Sequence, residues 1–265
     1  AFPARTAAAM DSTVSETSLD LDALTEDEFL GGQLRLLQPR HGYRAGMDAV
    51  LLAASVPAEP GQAVLDLGCG VGTAGLCLAR RVEGLRITGV ELQPDLCALA
   101  AENATRNGLA GRATFIAGDL RARGSILEAR SFDHVICNPP YVAEDSGQTS
   151  GTARADISKR ETDADLADWI DAMLYWVRER GHLSLVHRTD RLQEIISLLT
   201  PRVGGIRVCP IWPKPGREAN RVLVRGRREA RAGMVLGPGI TVRDPDDRVT
   251  PEMEAIQRDG QALDF

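Results

Sequence analysis

The stretch Val64-Leu65-Asp66-Leu67-Gly68-Cys69-Gly70-Val71-Gly72-Thr73 runs from an apolar segment through three alternating glycines into a helical pattern at Ala74–Val82. An apolar strand that turns through glycines into a helix predicts an α/β unit whose loop lets a ligand approach bare backbone. Outward from this loop, further short apolar runs at Arg86–Val90, Ala113–Ala117, Phe132–Cys137 and His182–His187 alternate with helical patterns at Asp95–Asn107, Asp163–Arg180 and Asp190–Leu199. That alternation predicts a doubly wound, mostly parallel seven-stranded sheet covered by helices on both faces, a Rossmann-like α/β fold. Gly205–Trp212 and Arg221–Gly226, joined by a Pro- and Gly-rich connection, read as an antiparallel pair at the C-terminal edge.

Two cofactors compete for the glycine loop. Gly70, Gly72 and Gly75 fit the dinucleotide spacing, and Glu91 lies about 20 residues on, as that fingerprint expects. The second register runs acid-x-Gly-x-Gly-x-Gly, from Asp66 through Gly68 and Gly70 to Gly72. A carboxylate at the end of the strand repels a pyrophosphate but suits a ligand carrying ammonium and sulfonium charges, which is S-adenosylmethionine. Glu91, followed by Leu92, serves ribose hydroxyls in either case. Asp119, after the third strand, offers a carboxylate to the adenine amino group, with Leu120 beside the ring.

The fourth strand end decides between them. Phe132–Cys137 is followed by Asn138-Pro139-Pro140-Tyr141. Two prolines fix φ and remove two backbone donors, which leaves carbonyls as acceptors. Asn138 adds a side-chain carbonyl and Tyr141 an aromatic face. Together they suit a planar substrate bearing an –NH2 group. Asn138, Pro139, Pro140 and Tyr141 are therefore the expected catalytic set.

Composition bounds the alternatives. The chain has 265 residues, 43% hydrophobic and 26% charged, the balance of an ordinary globular protein. No run approaches the ~18 apolar residues of a membrane span, and Ala1–Asp11 carries no export signal, so a cytoplasmic protein without membrane contact is expected. Cys69, Cys77, Cys97, Cys137 and Cys209 form no C-x-x-C pair, which predicts reduced buried thiols and no metal site. Trp169 and Trp176 fall on one helical stripe and read as core, and His41 and His134 as structural residues. The net charge is −6, yet residues 201–231 hold 9 basic against 2 acidic groups, a band able to meet a polyanion. The expected organisation is a disordered tail over 1–20, a lead-in over 21–60, a catalytic domain over 61–231 and an acidic extension over 232–265. Within the lead-in, Gln33–Gln38 reads as a strand and Ala49–Ala54 as a helix capped by Asp48.

With its N-P-P-Y signature the chain resembles the class I S-adenosylmethionine-dependent methyltransferases that modify amino nitrogens. Gln38-Pro39-Arg40-His41-Gly42-Tyr43-Arg44-Ala45-Gly46-Met47-Asp48-Ala49-Val50-Leu51-Leu52-Ala53 and Ala219-Asn220-Arg221-Val222-Leu223-Val224 extend the likeness to the tRNA (adenine-N6)-methyltransferases acting on a valine tRNA. Where that family carries Arg-His-Glu after the signature, this chain has Arg160-Glu161. The resemblance implies methyl transfer to adenine N6 in tRNA, with Arg44 and Asp48 closing the pocket. RNA phosphates would then lie along the basic band, on Arg221, Arg225 and Arg227, which alternation places on one face. The alternatives are a protein glutamine amide, which poses the same chemical problem, or another RNA or DNA amino group. The release-factor enzymes that methylate glutamine resemble the chain less, because they carry a larger N-terminal domain and lack the arginine-rich tail.

Overall fold

A computed structural model describes residues 23–42, 44–140 and 164–265. Strands β1 (Leu24–Phe29) and β2 (Leu34–Pro39) form an antiparallel hairpin, and helix α1 (Met47–Ser55) follows. The alternating unit is β3 (Ala63–Leu67), α2 (Thr73–Arg81), β4 (Arg86–Glu91), α3 (Pro94–Arg106), β5 (Ala113–Ala117), a 3-10 turn at Leu120–Ser125, and β6 (Phe132–Cys137). After α4 (Leu166–Trp176) come β7 (Val177–Arg188), α5 (Leu192–Leu199), β8 (Val203–Trp212) and β9 (Arg221–Arg228). Two short strands, β10 (Val235–Leu236) and β11 (Ile240–Thr241), and helix α6 (Pro251–Asp259) end the chain.

The main sheet runs β5-β4-β3-β6-β7-β9-β8-β10, with β11 also on β8. The first five of these are parallel, and β9 is antiparallel to both β7 and β8. Strand order reverses between β3 and β6, and open α/β sheets bind ligands at that switch point, beyond the carboxyl ends of the strands. Leu67 pairs with Cys137, so the glycine loop and Asn138 leave the sheet side by side.

Side chains alternate across the sheet. Val64 and Ile136 join a core beneath α1, α2 and α6, while Leu65, Leu67, Val135 and Cys137 pack against α4 and α5. Helix ends follow local chemistry: Pro94 opens α3, Asp165 and Asp168 form a capping box on α4, and Thr250 caps α6 ahead of Pro251.

Three expectations are corrected. Gly46, not Asp48, is the N-cap of α1, because the helix begins two residues earlier, at Met47. The helix expected over Asp163–Arg180 ends at Trp176, since Val177 pairs with Phe132 and starts β7 well before His182. The β8–β9 pair is not the sheet edge, because β10 and β11 add parallel strands outside β8. The extension over 232–265, whose placement the sequence leaves open, packs on the body, with Ile240, Met253, Ile256, Leu263 and Phe265 in the core shared with α1. The expectations for residues 1–20, and for Tyr43, Tyr141, Arg160 and Glu161, fall outside the described residues.

Candidate active site

The glycine loop is held from both sides by carboxylates. Gly70 N–H donates to Glu91 Oε2 at 2.8 Å and Gly75 N–H to Asp66 Oδ2 at 2.8 Å. Gly68 has φ +68, and a Cβ built there would lie 2.4 Å from Cη2 of Trp169, so only glycine fits under that ring. From α3, Asn103 Nδ2 donates to Val71 O at 3.1 Å, and the same side chain pairs with the N–H and C=O of Leu37 on β2. Loop, helix and hairpin are thereby pinned by one buried amide.

A cavity of about 540 Å³ opens over the switch point, within the usual range for small-molecule sites. Gly68, Gly70, Glu91, Leu92, Asp119 and Leu120 form one side, and Asn138, Pro139 and Pro140 another. Arg44 and Asp48 close it from the lead-in. Arg44 is braced there by Asp27 at 2.6 Å and by Thr25 Oγ1 at 2.7 Å, and Asp48 by Arg221 Nε at 3.1 Å. Eleven residues read from the sequence thus share one cavity. Asp66 and Gly72 do not line it. Asp66 lies beneath the loop, 2% exposed, where burial pushes its carboxyl up to about 7 against the lowering pull of the Gly75 N–H. Its charge does not face the ligand directly.

The basic band is divided. Arg221, Arg225 and Arg227 share a face of β9, but α1 and the C-terminal segment cover much of it. Arg225 donates to Ser55 O at 2.8 Å and Phe265 O at 2.6 Å and stacks over the Phe265 ring at 4.6 Å. Arg227 donates to Arg180 O at 2.8 Å. Neither reaches the cavity, and Arg225 is an internal brace rather than a surface cation.

Among the lining residues that the sequence reading missed are Trp169, Ala164, Leu96 and Arg121. Arg121 forks onto Asp119 through Nε and Nη2 and, by hydrogen bonding, holds that carboxyl below its ordinary value. Trp169 was legible only as core, and it is buried, but in the first turn of α4 at the ligand end of the sheet. The five cysteines are free and buried, and burial raises their thiols, as suits packing residues. Among the described residues no cluster of acids, His or Cys could hold a metal, and no helix is long and apolar enough to cross a membrane.

The donor set fits S-adenosylmethionine better than a dinucleotide. The Gly70 and Gly75 amides that would approach a pyrophosphate already serve carboxylates. Glu91 presents a carboxylate on the cavity wall for a ribose diol, and Leu92, Leu96 and Leu120 supply apolar surface for an adenine.

The sequence profile of the family described as "Methyltransferase small domain" matches residues 45–159. A tRNA1(Val) (adenine(37)-N6)-methyltransferase from Shewanella halifaxensis is 32% identical over 202 residues, covering 75% of this chain and 76% of the relative. Its counterpart from Tolumonas auensis is 27% identical over 228 residues, covering 84% and 92%. Among solved structures, a predicted O-methyltransferase from Agrobacterium tumefaciens superimposes with a TM-score of 0.69 at 26% identity, over 82% of this chain and 98% of the other.

Proposed function

The chain belongs to the tRNA1(Val) (adenine(37)-N6)-methyltransferase family, and we propose that it methylates the exocyclic N6 of an adenine in tRNA. It is an S-adenosylmethionine-dependent N-methyltransferase. The observation that carries the substrate reading is the meeting of Asn138, Pro139 and Pro140 with Gly68, Gly70 and Glu91 in one cavity.

Bound there, S-adenosylmethionine supplies an electrophilic methyl group and leaves as a neutral thioether. Glu91 holds the ribose, and the loop at Gly68 and Gly70, on the cavity wall, admits the methionine arm. The amino nitrogen of adenine is a poor nucleophile because its lone pair is delocalised into the ring. Asn138 Oδ1 and the Pro139 carbonyl accept its two hydrogens, which favours a pyramidal nitrogen and returns the lone pair to it. With that pair restored, the nitrogen would take the methyl group that the cofactor supplies, its C–N bond forming as the methyl–sulfur bond breaks, and the surplus proton would leave to water. Positioning carries much of the rate, so no strong base is needed beside the nitrogen. Arg44 and Asp48 close the lead-in side, Tyr141 stacks on the base, and RNA phosphates lie along the exposed arginines of 201–231.

Two experiments test this reading. Labelled S-adenosylmethionine and total tRNA from a strain lacking the gene should yield N6-methyladenosine on nucleoside analysis. Label in a protein glutamine amide instead would replace the RNA substrate. Asn138→Ala should abolish transfer and leave S-adenosylhomocysteine affinity within a few-fold, because it removes the acceptor for the substrate amino group alone. Wild-type turnover in that variant would overturn the mechanism.

A further inference from the structure

Trp169 stands where the two ligands of this site must meet. It lies in the first turn of α4, and Met173, one turn on, has its Sδ 3.3 Å from Cys137 Sγ at the end of β6. That contact holds the helix over the junction of β6 with β3, whose next residues are Asn138 and Gly68. The far edge of the indole fills the space above Gly68, and the side chain shares the cavity wall with Asn138 and Pro140. The residue is only 8% exposed. Among the described residues its indole N–H enters no hydrogen bond, whereas that of Trp176, on the same helix, donates to Leu127 O and that of Trp212 to Pro238 O. The Trp169 nitrogen is not among the buried polar atoms left without a partner, so it keeps solvent contact in a wall that a bound ligand would cover, and such a ligand must offer this donor an acceptor in place of water.

We propose that Trp169 reads the acceptor base, donating its indole N–H to the ring nitrogen beside the amino group that Asn138 and Pro139 hold. This rests on the amino-nitrogen reading of the substrate and adds a second half to it. Asn138 and Pro139 select –NH2, and Trp169 requires an adjacent lone pair. Adenine presents that pair on either side of its amino group, at N1 and at N7. A base with hydrogen at that position meets a donor with a donor.

The test uses full-length protein loaded with S-adenosylhomocysteine and anticodon stem-loop RNAs. Each RNA carries adenine, 1-deazaadenine or 7-deazaadenine at the target, and affinity is read by fluorescence anisotropy. Wild type should bind the adenine RNA about 10-fold tighter than one of the deaza RNAs, the loss expected when a buried donor goes unpaired. Trp169→Phe keeps an aromatic edge toward Gly68 without the N–H. It should bind that deaza RNA as wild type does, with the adenine preference gone and S-adenosylhomocysteine affinity within about two-fold. A preference that persists in Trp169→Phe overturns the proposal. So does a wild type indifferent to both deaza substitutions, a result that needs no variant to fold. If wild type binds the cofactor product but transfers no methyl group to the adenine RNA, the substrate reading itself fails, and this inference with it.

Discussion

With 2% of its surface exposed and the Gly75 N–H donating to it, the Asp66 carboxyl keeps its proton up to about pH 7. From about pH 4 to 7 the folded chain holds a proton that the unfolded chain has released, so this residue's contribution to stability falls as pH rises. Asparagine keeps an acceptor for Gly75 and does not titrate. Asp66→Asn should therefore gain on wild type by a few kcal/mol from pH 4 to pH 7, measured as the difference between their melting curves at stepped pH. Parallel curves would mean that the carboxyl stays ionised in the fold. Glu91 behaves differently because it is on the cavity wall. Glu91→Ala removes the ribose acceptor and leaves Gly70 N–H without its partner, so S-adenosylhomocysteine should bind about 10- to 100-fold more weakly by calorimetry. Both acids were legible as strand-end carboxylates. What separates them is depth on a shared sheet face: Asp66 pairs with Gly89 and lies under α2, bonded to Gly75, whereas Glu91 stands two residues further toward the carboxyl ends and lines the cavity. Trp169 escaped because an apolar helical stripe carries no mark of where the stripe meets a cavity.

At the level of elements, the core strands β3 to β6 match their apolar runs closely because each is buried and punctuated by loops. Elements stabilised chiefly by their partners were harder to see. Leu24-Thr25-Glu26-Asp27-Glu28-Phe29 is too polar to read as a strand, yet it pairs with β2 along its whole length. The run Arg178-Glu179-Arg180 favours helix locally, and sheet pairing of Val177 overrides it. Docking of the hairpin on the cofactor loop depends on Asn103, fully buried, with bonds to Leu37 N–H at 2.7 Å, Leu37 O at 3.0 Å and Val71 O at 3.1 Å. Alanine there would strand buried backbone groups at two elements together. Asn103→Ala should lower the unfolding free energy by about 2–4 kcal/mol in urea titrations and weaken cofactor binding through the loosened loop. A loss of stability with unchanged cofactor affinity would separate the hairpin from the loop.

Across the whole molecule, charge is distributed by what covers each surface. Alternation along β9 groups Arg221, Leu223, Arg225 and Arg227 on one face, and the buried Leu223 shows that α1 and the C-terminal segment cover it. Sequence spacing tells which side chains share a face and is silent on whether a later part of the chain lies over it. Here the last residues do, and Phe265 takes up both Arg207 and Arg225. Removing the Arg225 guanidinium should leave Ser55 O unpaired and Phe265 O to Arg207 alone, and cost about 1–3 kcal/mol of stability. It should leave the salt dependence of tRNA binding unchanged. Of the exposed arginines in the same band, Arg202, Arg207 and Arg227 already bond within the chain, whereas Arg217 and Arg231 have no side-chain partner among the described residues and are the cations most open to phosphates. Each Arg→Ala change there should flatten the log–log plot of affinity against salt by about 0.7 on a single-stranded loop, with little change in melting temperature. Measuring both quantities for the three variants assigns the roles. A flattened slope in Arg225→Ala would return that arginine to the RNA surface, and unchanged slopes in Arg217→Ala and Arg231→Ala would move the phosphate path off this band.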